Sequence, residues 1–370
     1  MVKCCVRFWA ASLLIFMFAC SGMHLDASAL HAEAEEAETI TISFVGDCSI
    51  GDSLKQRGLS SSLTSQVKEH GFDWLFETVR PYFEADDLTV ANLEVVLSDY
   101  NEPKYPLKTY NLIAPSEHRE ILSCSGIDAV NTVNNHCVDF NYKGYRDTLQ
   151  NLEEAGILHF GSLNATRDTN RFVDHVIHEI KGVTFGFMGY SYPSNSDLKL
   201  IQGEIQELRD AGCDMVVVSL HWGKETKPNP QANQFNYAQK VLDAGADMIW
   251  GHHPHVLQPV YFYNGKPVLF STGNFVFGTI SKLDPATGIF QLTWEKTGDG
   301  ARLASLSMIP CQTQRGGEYQ PIVLEDADDK ENCLKHVIGK AKKGFVELPE
   351  GFEKTGTVYI DSEGNLEIGE

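Results

Sequence analysis

The chain reads as an α/β protein, and two observations carry that reading. From Thr39 onward, short β-rich runs alternate with segments of helical spacing, and polar residues gather where the strand-like runs stop. A length of 370 residues leaves room for one large domain or two ordinary ones, and 42% hydrophobic residues suffice for a sizeable core.

The first segment is of a different kind. Lys3 and Arg7 precede the apolar stretch FWAASLLIFMFAC, which gives residues 1–29 the layout of an export signal. Two cleavage points follow. One is a loose lipoprotein-type box ending at Cys20, which would leave a lipid anchor; the other is the small-x-small ASA at 27–29. The stretch is short for a membrane-spanning helix. Residues 30–38, LHAEAEEAE, read as an acidic, solvated linker.

The elements then follow in order. TITISFVG is a β-rich run that stops at Gly46-Asp47, FDWLFETVRPYF has helical spacing, and DLTVANLE is the next strand. IDAVNTVNNH repeats the strand-and-stop form, and YRDTLQNLEEAG is a helix closed by Gly156. VIHEIKGVTFGFMGYS reads as a hairpin turning at Lys181-Gly182. Helix IQGEIQELRDAG, strand and loop CDMVVVSLHWG, helix FNYAQKVLDAGA, and strand and loop DMIWGHHPH come next. PVYFYNGKPVLFSTGNF is a second hairpin, with Asn264-Gly265 as its turn. Residues 285–310 look like further β structure, and KTGTVYIDSEGNLEIG ends the chain as another hairpin.

A formal net charge of -20 argues against nucleic acid, or an anionic membrane face, as a nonspecific partner. Beyond the leader the cysteines are Cys48, Cys124, Cys137, Cys213, Cys311 and Cys333. They form no CxxC pair, which disfavours a thiolate zinc site. An oxidising compartment would allow one or two disulfides, with Cys311–Cys333 the expected pair, and most of the rest pack as small hydrophobes. The sequence holds no Walker loop, no GxGxxG and no GxSxG.

In open α/β sheets, functional groups collect where strands end and loops begin. Five such points carry metal-competent or carboxylate groups: FVGDCSIGD with Asp47 and Asp52, ANLEVVLS with Asn92 and Glu94, NTVNNHCVDF with Asn135, His136 and Asp139, VSLHWGKE with His221 and Glu225, and GHHPHV with three histidines. A single Asp after a strand is usually a helix cap or a turn residue. Five points together fit a divalent transition-metal site, because neutral nitrogen and anionic oxygen suit Zn, Mn or Fe. The inventory could hold one or two ions, which would lower the pKa of a bound water into a nucleophilic range.

These blocks, in this order, resemble the CapA family of bacterial capsule (poly-γ-glutamate) synthesis proteins, which have a calcineurin-like metallophosphatase fold. The stretches that carry the resemblance are FVGDCSIGD, ANLEVVLS, NNHCVDFNYKG, VSLHWGKE, GHHPHVLQPV and LFSTGNFVFG, within residues 39–280. The resemblance implies a metallophosphatase-like four-layer αββα sandwich with additional C-terminal β hairpins. The domain would span 39–310, with a C-terminal extension, 311–370, packed on it. It implies metal ligands Asp47, Glu94 (as the bridging carboxylate), Asn135, His221, His253 and His255. His136 would act near the leaving group, Glu225 would join it in catalysis, and Asn92, Asp139, His252 and Asn274 would support the ligands, His252 otherwise being an exposed neighbour. Three positions depart from the metallophosphatase pattern: Ser49 stands where many have His, Glu94 replaces Asp, and Asn134-Asn135-His136 replaces Gly-Asn-His.

The implied function is an exported capsule synthesis protein with a metal-dependent phosphoesterase-type site. It would be membrane-anchored, periplasmic or extracellular, acting on an anionic polymer or a phosphoester within a capsule-synthesis membrane complex. The alternatives are a non-catalytic, metal-containing guide for an anionic envelope polymer and a general secreted phosphodiesterase.

Overall fold

Strand Thr39–Ser49 is buried continuously from Ile42 to its end, as a strand covered on both faces must be. In the computed structural model, which describes residues 38–163, 174–277, 284–298, 300–313, 319–340 and 342–369, this strand lies inside the larger of two main sheets. Strands Leu88–Leu93, Ala129–Asn131 and Leu158–Phe160 follow it on one side, each parallel to its neighbour. On the other side lie Ala286–Thr297, Gly300–Gln312, Thr357–Ile360 and Leu366–Ile368, all antiparallel. The second sheet runs Val346–Glu347, Val260–Tyr263, Lys266–Leu269, Met248–His252, Met215–His221, Val183–Ser191 and Val176–Ile180.

Three apolar clusters fix the layers. The central one joins Ile42, Phe44 and Val90 of the first sheet to Phe187, Val217 and Trp250 of the second, so the sheets pack face to face. A second cluster seats helices Leu63–His70, Arg119–Ser125 and Asn141–Ala155 on the outer face of the first sheet, through Val67, Ile121 and Leu152. A third seats helices Leu198–Asp210 and Ala232–Asp243 on the outer face of the second, through Ile205 and Val241. The order is helix, sheet, sheet, helix: the α/β class and the αββα sandwich that the sequence implies. The C-terminal hairpins are present and extend the first sheet.

The two hairpin turns follow the expected chemistry. Lys181 and Gly182 have φ of 50° and 76°, and Asn264 and Gly265 have 50° and 73°, the double positive φ of a type I′ turn. The expected helix FDWLFETVRPYF differs. Only Arg80–Phe83 is helical, and the preceding residues form successive turns, such as Glu77 N to Trp74 O and Val79 N to Phe76 O. The apolar spacing still buries Leu75, Phe76, Val79 and Phe83, because i→i+3 turns place side chains on one face much as a helix does. The expected Cys311–Cys333 bridge is not formed. The six cysteines among the described residues are free, and Cys333 Sγ instead meets the carbonyls of Thr287 at 3.4 Å and Cys311 at 3.6 Å.

The export signal, Cys20 and the Ala29 cleavage point lie outside the described residues. Among the described residues, no helix is long and apolar enough to cross a membrane.

At Gly46, just before Asp47, the chain passes close against another segment. A Cβ there would sit 2.1 Å from the carbonyl oxygen of Gly273, a backbone atom that cannot swing aside. Gly46→Ala is expected to cost about 1–3 kcal/mol as an overpacked site. Calorimetry should record this as a Tm lowered by about 1–2 °C per kcal/mol for a chain of this size.

Candidate metal centre

The first sheet delivers three groups from adjacent strand ends. Asp47 lies in register with Asn92 on one side and Asn274 on the other, beside an irregularity in the pairing. Asn131 Nδ2 donates to Asn92 Oδ1 at 2.8 Å, and Asn92 Nδ2 donates to Asp47 Oδ1 at 2.7 Å. This relay of amides orients the carboxylate. Glu94 follows the Leu88–Leu93 strand, tied by its N–H to Cys48 O at 2.9 Å.

The second sheet delivers the imidazoles. His221 and His252 are paired residues at the ends of Met215–His221 and Met248–His252. Their Nδ1 atoms stand 2.8 Å apart, while His221 Nε2 is 2.8 Å from Asn135 Oδ1 and His252 Nε2 is 2.6 Å from Ser219 Oγ. Past the strand, His253 and His255 have φ of 102° and 59°, a region that L-residues occupy only when their surroundings hold them there. His253 N donates to Asp47 Oδ2 at 3.3 Å, and its Nε2 lies 2.6 Å from Tyr192 Oη. His255 Nδ1 is 2.8 Å from Asn274 Oδ1 and 3.3 Å from Asp47 Oδ2, which leaves its Nε2 facing Glu94 Oε1 at 3.8 Å.

His136 approaches Glu94 from another side, with Nε2 at 3.7 Å from Oε1. Its Nδ1 is 2.6 Å from Asp139 Oδ2, and Asp139 also accepts from Leu112 N at 2.9 Å and pairs with Lys108. Ligand atoms therefore gather in three overlapping groups: Asp47, His221 and His252; Asp47, Glu94 and His255; and Glu225, His253 and His255.

Burial holds His221 well below the usual imidazole range, helped by the neighbouring histidines, and pushes His252 down to about 4 and His253 to about 3. All three are neutral at pH 7, the form that binds a cation. Burial would lower His255 too, but its hydrogen bond to Asp47 outweighs this and raises it. Burial opposes ionisation of Asp47, yet His255 and Asn92 keep its pKa below the usual value. Burial and the nearby Asp47 charge lift Glu94 well above the usual carboxylate range.

Glu94 supplies the test of whether a metal fits. It is fully buried, and neither carboxylate oxygen has a hydrogen-bond partner. A buried anion without donors is costly, and a cation among Asp47, Glu94 and His255 removes that cost. Mixed imidazole nitrogen and carboxylate oxygen suit Zn, Mn or Fe, whereas Ca and Mg prefer oxygen alone. The donor set fits a divalent transition metal.

The sequence-derived positions thus fall together, with refinements. Asp47, Glu94, Asn135, His136, His221, His253 and His255 share the cleft. Asn92, Asp139 and Asn274 orient Asp47, His136 and His255 respectively. His252, expected as a supporting residue or an exposed neighbour, is fully buried, its ring grouped with Asp47 and His221. Glu225 is exposed at the rim beside His253 and His255. Asp52 stays out, capping helix Leu63–His70 through Leu63 N at 2.8 Å. Sequence reasoning missed Tyr192, Asn131, Asn134 and Lys108. Asn134 carried a signal, lying next to two named residues; its Nδ2 donates to Leu93 O at 2.8 Å and its Oδ1 accepts from His136 N at 3.0 Å.

Residues 41–279 match the family model described as bacterial capsule synthesis protein PGA_cap. The capsule biosynthesis protein CapA of Bacillus anthracis is 28% identical over 350 residues, which cover 90% of this chain and 81% of that protein. The PGA biosynthesis protein CapA of Bacillus subtilis is 28% identical over 302 residues, covering 78% and 76%. Among solved structures, the NAD nucleotidase of Haemophilus influenzae aligns with a TM-score of 0.44 at 13% identity, covering 83% of this chain and 57% of that one.

Glu94→Gln separates the metal from the fold. An acid whose folded pKa is raised loses stability as pH climbs above its unfolded value toward the folded one. After chelation at pH 8, Glu94→Gln should therefore melt higher than the chelated wild-type protein. With added Mn or Zn the order should reverse, since the variant lacks the anionic ligand. Equal melting of both proteins in both conditions would remove Glu94 from the site.

Proposed function

The chain belongs to the PGA_cap family of bacterial capsule synthesis proteins, and from that premise we propose an exported envelope protein with a divalent-metal phosphoesterase-type site. The single observation that carries the site is Glu94, a buried carboxylate with no donor, set among Asp47, His255 and His136. One or two ions of Zn, Mn or Fe would be held by Asp47, Glu94, Asn135, His221, His253 and His255, with His252 joining His221 and Asp47. Such ions supply Lewis-acid stabilisation of a phosphoryl group and a lowered pKa for water.

The chain's own residues supply the rest. Asp139 engages His136 Nδ1 at 2.6 Å, which leaves Nε2 toward the cleft. Because burial lowers the ring's pKa, Nε2 would first take up a proton from solvent water and then hand it to a departing oxygen. Asn274 and Asn92 keep His255 and Asp47 in their orientations, as outer partners of metal ligands do. Tyr192 braces His253 from the rim. Glu225 is exposed beside His253 and His255, a position suited to orienting a substrate. The substrate is an anionic polymer or a phosphoester, and its contact is local to the cleft because the chain as a whole is strongly acidic.

Metal content and hydrolysis of bis-p-nitrophenyl phosphate, measured on the same samples of the intact chain, test this. The wild-type protein should carry a divalent metal and release nitrophenol, and His221→Ala should lose both. His136→Ala should keep its metal while its rate falls about 10²–10⁴-fold, the usual worth of a general acid. Bound metal without turnover in the wild-type protein would reject the phosphoesterase and leave a metal-dependent docking site for the polymer.

A further inference from the structure

The exposed apolar side chains of this protein are not spread evenly. Among the described residues, nine large hydrophobic side chains are exposed, and five of them are Leu54, Leu59, Tyr105, Leu107 and Tyr110. Leu107 is 99% exposed, so packing within the chain gives it no role. Apolar groups gathered in this way mark a surface that meets something else.

The five belong to two segments that leave one small ladder side by side. Strand Asp52–Ser53 pairs antiparallel with Leu112–Ala114, so residues 54–59 leave the ladder where residues 105–110 enter it. Leu54 N donates to Asn111 O at 3.2 Å, and Asn111 Nδ2 donates to the carbonyls of Tyr105 at 3.1 Å and Lys108 at 3.3 Å. Lys108 N closes a turn onto Tyr105 O at 2.9 Å, with Pro106 and Leu107 at its apex. Leu59 N closes another onto Gln56 O at 3.0 Å. Both tips are therefore shaped before anything meets them.

Their charge is the reverse of the molecule's. The chain carries 50 acidic residues against 30 basic ones, yet residues 54–59 and 104–110 hold Lys55, Arg57, Lys104 and Lys108 and no Asp or Glu. Lys55 and Arg57 are exposed, and Lys104 lies over the rings of Tyr105 and Tyr142 at 5.5 and 4.9 Å. Lys108 turns inward to Asp139, to the Asn135 carbonyl at 3.0 Å and to His136 Nδ1 at 3.2 Å. The acids at the foot of the second segment are already engaged: Asp99 accepts from Ser116 N at 3.0 Å, and Glu102 from Tyr100 Oη at 2.9 Å.

Leucine and tyrosine among lysine and arginine suit the boundary layer of a bilayer, where apolar groups enter and cations meet lipid phosphates. A protein partner would need a pocket shaped to these convex tips, whereas a bilayer needs only the protrusion. We propose that residues 54–59 and 104–110 form a docking face for an anionic lipid surface. The rest of the chain is acidic and is repelled by such a surface, which confines contact to this face. Lys108 joins the face to His136, so the metal centre stands directly behind the lipid contact. The docking goes beyond the reading of the centre and needs neither metal nor turnover.

Hydrogen exchange of the intact chain tests it, with vesicles of phosphatidylcholine alone or mixed with phosphatidylglycerol. The mixed vesicles should protect 54–59 and 104–110, and the neutral ones should not. Leu107→Ser should raise the lipid concentration for half-protection at least threefold, and Lys55→Glu combined with Arg57→Glu at least tenfold. Metal content and Tm should stay at the wild-type values, because these side chains are exposed. No protection of the two segments, equal protection by neutral vesicles, or no effect of either variant would overturn the docking face. Metal-stripped protein should dock equally well. A failed phosphoesterase therefore leaves the face standing, and a face that does not dock leaves the phosphoesterase reading standing.

Discussion

The architecture depends on Asp47 being charged where no water reaches it. It is fully buried between the two sheets, a location where an unpaired carboxylate would cost several kcal/mol. The fold compensates from both sides. Asn92 of the first sheet donates to Oδ1, while the His253 N–H and the His255 ring, carried by the second sheet, meet Oδ2. The carboxylate therefore joins the sheets at their strand ends as well as serving the centre. Its pKa lies below the usual value despite the push of burial, in the direction those partners require.

The same demand explains the backbone of GHHPH. Strand pairing ends at His252, and the chain must then turn an amide and two rings back toward Asp47. Positive φ at His253 and His255 achieves this. Strain of this kind persists only where neighbours over-determine it, and here Tyr192, Asp47 and Asn274 each hold one of the two residues. Pro254 lies between them and fixes its own φ. Three histidines in four positions thus become three different orientations: His252 toward His221, His253 toward Tyr192, and His255 toward Glu94.

Much of this was legible in the sequence, and the reason is physical. The Lys181-Gly182 and Asn264-Gly265 turns announce themselves because few residues tolerate two positive φ values in succession. The strand-end ligands are legible because a polar group that closes a buried apolar run must either cap something or meet a partner. Asp52 capped a helix and the others met partners, a distinction that spacing alone does not draw. FDWLFETVRPYF was read as helix because its apolar period survives in successive turns. His252 was underrated because motif spacing names residues along one strand, whereas its role comes from its cross-strand pairing with His221. Lys108 and Tyr192 left no signal. Each reaches the centre from a loop whose path follows from tertiary packing.

The two halves of the centre are not equivalent, and that asymmetry bears on what it binds. Around His221 the donors are imidazole nitrogens with the amide oxygen of Asn135 and the shared Asp47. Around Glu94 they are two carboxylates with His255. Ser49 lies on this strand end, fully buried with an unpartnered Oγ, and it brings a hydroxyl where a further imidazole would have added nitrogen. Glu94 reaches one methylene farther than an aspartate at the same position. A nitrogen-rich half and a carboxylate-rich half sharing Asp47 favour different ions by softness and charge. The carboxylate-rich half is the one that His136 approaches, with Nε2 at 3.7 Å from Glu94 Oε1, so the ring and the least compensated carboxylate of the cleft face each other.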